Sequence, residues 1–145
     1  MPLAPQLFVA DHHAAVAYAK ALDAGRTPPN VLESYAVPDV TDLDLEILGE
    51  LAVRKVHATG TECALGMVDV ELDSLLVIPE GLDEVFAELK DLEDPEELAE
   101  LAAEWAGTEE MSTTADVTES MVRRISELAA AAGADERLAL YFWSE

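Results

Sequence analysis

The chain has 145 residues, half of them hydrophobic but only 6% aromatic, and its 31 acids against 8 bases give a net charge of −23. That length and that hydrophobic share describe one globular domain, residues 1–145, and exclude a disordered chain or a string of domains. A field of this sign repels phosphates and anionic lipid head groups, which argues against direct nucleic-acid binding and membrane docking. It attracts basic protein surfaces and cations.

Residues 6–9, Gln-Leu-Phe-Val, read as a short strand. Asp11 has N-cap chemistry for a helix over about 12–24 that Gly25 ends. Val16, Ala19 and Leu22 are its expected buried stripe. Two prolines make 26–30 a loop, and a second strand is expected over 31–37, closed by Pro38. Thr41–Thr59 is the best-marked helix. Thr41 and Asp44 resemble a capping box, Arg54, Lys55 and His57 crowd the last turn, and Gly60 follows. Leu43, Ile47, Leu51 and Val56, with Leu48 alongside, are read as its apolar face.

The period then changes. Val68, Val70 and Leu72 alternate with Asp69, Glu71 and Asp73, the pattern of a strand with one wet face. Leu75-Leu76-Val77-Ile78 reads as a buried strand, halted by Pro79. Helices follow over about 81–92 and 95–106, the second opened by Asp94-Pro95-Glu96-Glu97 and closed by Gly107. A polar loop covers 108–115. Asp116 and Glu119 open a last helix that ends at Gly133, with Val117, Met121, Ile125 and Leu128 on one face. Residues 138–143, Leu-Ala-Leu-Tyr-Phe-Trp, read as a final strand. Interleaved strands and helices predict an α+β domain: one sheet of four or five strands covered by about five helices. With so few aromatics, Trp105, Phe142 and Trp143 are its expected large core fillers.

A single cysteine, Cys63, rules out an internal disulfide. The first residues lack the basic start and apolar run of a signal peptide, and no stretch reaches the ~18–20 apolar residues of a membrane span. The expected location is therefore cytoplasmic.

Asp11-His12-His13 resembles the signature of the DHH phosphoesterases over these three residues only. That family carries further Asp-bearing motifs ahead of it, for which ten preceding residues leave no room, and the assignment is set aside. Adjacent helical residues point about 100° apart, so His12 and His13 do not aim at one ion from one helix. The competing reading is a solvent-facing helix start. His57 is the remaining histidine, and its place in a last helical turn suits the helix dipole. Asp69 and Glu71 share one strand face about 7 Å apart, where they could bind a divalent cation or act as an acid/base pair. Charged residues at alternate positions are also the ordinary dress of an exposed sheet face.

Catalytic candidates are thus His12, His57 and Cys63, and metal candidates are His12, His13, Asp69 and Glu71. No glycine loop, nucleophile elbow, Cys-x-x-Cys or His-Glu-x-x-His accompanies them, and no cofactor is expected. The largest coherent feature is the run from 80 to 110, with thirteen acids against one base, Lys90. Its Glu96, Glu97, Glu100, Glu104, Glu109 and Glu110 form a candidate surface for a basic protein partner, as an inhibitor or immunity protein would present. A small metal-dependent or acid/base hydrolase built on His12, His57, Asp69 and Glu71 is the alternative. The aromatic C-terminal strand is also a candidate for pairing with a second copy.

Overall fold

The computed structural model describes residues 5–28, 31, 33–37, 40–56, 60–68, 72, 74–91, 95–108 and 114–144. In chain order its elements are β1 (Gln6–Asp11), α1 (His12–Asp23), β2 (Glu33–Ala36), α2 (Asp42–Lys55), β3 (Gly66–Met67) and β4 (Leu75–Val77). There follow α3 (Glu80–Glu88) with a 3-10 turn at Leu89–Asp91, α4 (Pro95–Ala106), α5 (Ala115–Gly133) and β5 (Leu138–Trp143). The five strands make one sheet in the order β2-β1-β5-β4-β3, antiparallel throughout. This is the expected α+β domain.

Alternation along the strands builds two cores. Leu7 and Val9 of β1, with Leu140 and Phe142 of β5, face α2, α3, α4 and α5. Their neighbours Phe8 and Ala10, with Tyr141 and Trp143, face α1, which among the described helices is the one on the other side and buries Ala15, Tyr18, Ala19 and Leu22. Phe8 stacks between Tyr18 and Tyr141, its ring centroid 4.3 and 5.7 Å from theirs. Asp23, at the end of α1, locks this layer down. Its carboxylate accepts the Trp143 indole N–H at 2.9 Å and the Ser74 hydroxyl at 2.8 Å. The expected fillers Trp105, Phe142 and Trp143 are all fully buried.

Local chemistry sets the helix ends. The Asp11 carboxylate accepts the Ala14 N–H at 2.7 Å, as its N-cap role requires. Gly25 takes φ +69, and the Gly25 and Arg26 N–H groups return to the carbonyls of Leu22 and Ala21. That pair of bonds is a Schellman closure, which favours glycine at the left-handed position. At α2 both halves of the capping box form: the Thr41 hydroxyl accepts the Asp44 N–H at 3.2 Å, and the Asp44 carboxylate accepts the Thr41 N–H at 2.8 Å.

Several expectations need correction. The buried side of α2 is Leu45, Leu48 and Ala52, whereas Leu43 is 49% exposed. Apolar residues occupy both candidate faces of this helix, so periodicity alone did not choose between them. The helix stops at Lys55, four residues short of Thr59. Val117 likewise stands 48% exposed at the start of α5, and the buried face of that helix runs through Thr118, Met121, Val122, Ile125 and Leu128. In α1, Val16 is only half-buried and Tyr18 replaces it in the core. The strand expected over 62–73 is described only at Gly66–Met67, and its residues 69–71 and 73 lie outside the described set.

The C-terminal strand, expected to offer an edge for pairing with a second copy, is not an edge strand. β5 is the middle strand, paired to β1 along its whole length and to β4 from Tyr141 to Trp143. Its aromatic residues are buried between helices on both sides, so over 141–143 no backbone edge is left to offer.

Candidate functional site

The acids of α4 stand where their helical spacing puts them. Leu98, Leu101, Ala102 and Trp105 turn inward and are buried, which leaves Glu96, Glu100 and Glu104 exposed and Glu97 half-buried on the outer side. Glu109 and Glu110, expected to extend this surface, lie outside the described residues. Among the described residues, a cation enters the face from a neighbouring helix. Lys55, at the end of α2, places Nζ 3.0 Å from Oε2 of Glu100. The hydrogen bond with Glu100 raises the Lys55 pKa, and the charges of Glu100, Glu104 and Glu97 add to that rise. Three of the four acids therefore act on a single ammonium, and the face keeps an excess of negative charge.

Helix α3 adds Glu80, Glu84 and Glu88 as exposed acids. Asp83 departs from the expectation of a uniformly solvated run, because it is only 8% exposed.

A second acidic array follows α2, where Asp42, Glu46 and Glu50 recur every four residues and so share one side of the helix. Burial first, then the charges of Asp42 and Glu50, raise the Glu46 pKa. Beside this stripe lies a cleft of about 650 Å³, walled by Glu46, Glu50, Val53 and Arg54 on one side and residues 61–64 on the other. Gly49, on α2, sets how closely the two walls approach. A Cβ there would meet Leu82 Cδ1 at 3.0 Å and Cys63 Cβ at 3.4 Å, so glycine is what lets α3 and the 61–64 segment come this close to α2. Cys63 is half-buried in the cleft and its thiol donates to the Thr61 carbonyl, Sγ to O 3.7 Å. Burial, then Glu50 and Glu46, push its pKa up. Burial, with the acid neighbours adding to it, therefore favours the protonated thiol, the reverse of an activated nucleophile.

Two of the histidine candidates, His12 and His13, do not meet these groups. His12 and His13 are exposed in the first turn of α1, with the Asp11 carboxylate engaged as the helix cap. Cys63 packs against the core on the other side of the sheet from α1. His57, Asp69, Glu71 and Asp73 lie outside the described residues. Among the described residues no three His, Cys, Asp or Glu side chains come together to hold a metal ion, and no helix is long and apolar enough to cross a membrane.

Sequence reasoning had not singled out Lys55 as the counter-charge of α4, or the α2 stripe. The stripe had a signal, the four-residue spacing of Asp42, Glu46 and Glu50. The Lys55–Glu100 contact had none, since it joins residues far apart in the chain. Compared with known proteins, the chain matches no family model, and no curated protein and no solved structure matches it.

Proposed function

We propose that this chain is a cytoplasmic interaction protein without catalysis of its own, which docks a basic surface of another macromolecule on the acidic face of α4. The observation that carries this reading is the arrangement of Glu96, Glu97, Glu100 and Glu104 on the outside of one helix, with Lys55 as the cation bound among them. Such a face is rigid, because its opposite side is anchored by Trp105, whose indole N–H donates to the Asp44 carbonyl at 2.9 Å. A rigid surface of one sign steers an oppositely charged partner to a fixed orientation and speeds its arrival, in the manner of an inhibitor or immunity protein. Nucleic acid and anionic membranes carry the wrong charge for it.

The test is affinity capture from native lysate at moderate and at high salt. Wild type is compared with a variant carrying Glu96→Lys, Glu97→Lys, Glu100→Lys and Glu104→Lys, its folding verified by circular dichroism. One partner held at moderate salt by wild type and lost in the variant is the expected result. Retention of every partner by the reversed protein would sink the proposal, as would recovery only of abundant basic proteins that elute together as salt rises.

A further inference from the structure

Helix α3 places Leu82, Val85 and Phe86 in the core against α5, α2 and β5. Asp83 belongs to the same buried set, and its Oδ1 has no hydrogen-bond partner. A carboxylate withdrawn from water needs a cation or several N–H donors to remain ionised, and without them it keeps its proton. The charges that act on it are those of Glu84 and Glu80, both negative and both on its own helix.

The elements packed around α3 supply no remedy among the described side chains. On α5, Arg123 is bonded to Glu119, and Arg124 to Glu127 and Glu33. On α2, Lys55 is held by Glu100, Arg54 lines the cleft, and Asp44, a second buried acid, accepts the Thr41 N–H on Oδ2 only and offers no positive charge. Asp42, Glu46 and Glu50 line the α2 stripe, and Tyr141 of β5 faces the α1 side of the sheet. Asp91, in the turn after α3, is exposed. The start of α3 is also weakly fastened: Pro79 is its N-cap residue, and no side chain caps the first turn.

We propose that Asp83 is a proton-dependent latch: with its carboxyl protonated α3 lies packed against α5 and α2, and loss of that proton to solvent loosens the first turns of the helix. Burial, then Glu84 and Glu80, raise the pKa of this carboxyl to about 7, which puts the change within the physiological range.

Two measurements on the full chain test it. Carbon NMR follows the Asp83 carboxyl through a pH titration, and amide hydrogen exchange, corrected for base catalysis, follows α3 in wild type and in Asp83→Asn. The expected result is a carboxyl midpoint near neutrality. The opening of α3 should rise roughly tenfold or more from about pH 5.5 to about pH 8.5 in wild type and stay level in the asparagine variant. A midpoint in the ordinary carboxylate range overturns the proposal, as does the same pH dependence of α3 opening in both proteins. The wild-type titration decides even if the variant folds poorly.

Discussion

The first turns of α2 and α3 each bury an aspartate on the same side of the sheet, each with its Oδ1 unpartnered among the described residues, and the two differ in what else surrounds the carboxyl. Asp44 is fully buried, yet one carboxylate oxygen closes a capping box with Thr41, and its main-chain carbonyl receives the Trp105 indole. Asp83 sits in a helix with no side-chain cap, among negative neighbours. Burial alone therefore does not decide what a carboxyl does to a fold. At α2 the acid is part of the fastening, because it accepts a main-chain donor that would otherwise be orphaned. At α3 the acid is a cost wherever it is ionised.

The comparison can be broken most severely at Trp105. Trp105→Ala removes one of the two buried indole rings and the donor to Asp44, and should cost about 3–5 kcal/mol in chemical denaturation, with α2 and α4 losing exchange protection together. Next comes Asp83. A group that binds its proton more tightly when folded costs stability wherever the unfolded chain is already ionised. The wild type should thus lose stability as pH rises from about 4 to about 7 and level off above that. Asp83→Asn should remove this slope, leaving the variant about 2 kcal/mol more stable relative to wild type at pH 8 than at pH 4, a figure already reduced for the solvent that reaches the group. Urea melts at several pH values measure it. Wild-type and variant slopes that coincide would show that the two aspartates do not differ in this way after all.

Thr41→Ala leaves the Asp44 N–H without its hydroxyl acceptor and should cost about 1 kcal/mol, with little pH dependence. Leu43→Ser should change stability by no more than about 0.5 kcal/mol, since this first-turn residue of α2 faces solvent. A large loss there would restore the apolar face that the sequence pattern suggested.

What could be read from the sequence was what short-range chemistry controls. Asp11, Gly25, Thr41 and Asp44 acted as caps because their partners lie within a few residues. Strand type was equally accessible for 6–9 and 138–143, where β-branched and aromatic residues cluster. The phase of the α2 and α5 faces was not, because extra leucines and valines offered two stripes of similar quality, and only packing against α4 and the sheet selected one. Strand order was not accessible either, since an aromatic strand reads the same at the edge and in the middle. Asp83 looked like one more acid in a run of thirteen. Its burial follows from the packing of α3 against α5 and α2, which spacing does not encode. The α4 acids were legible as a group, while the lysine that joins them arrives from a different helix.

The central place of β5 bears on how the molecule is made. The pairing of Gln6 with Trp143 and of Asp11 with Leu138 joins strands separated by almost the entire chain, and closing so long a loop is slow. β5 is the strand between β1 and β4, so both keep an open edge and the two-sided core stays incomplete in any state in which β5 is not in place. In such a state the unpaired edges of β1 and β4 are open to pairing with other chains.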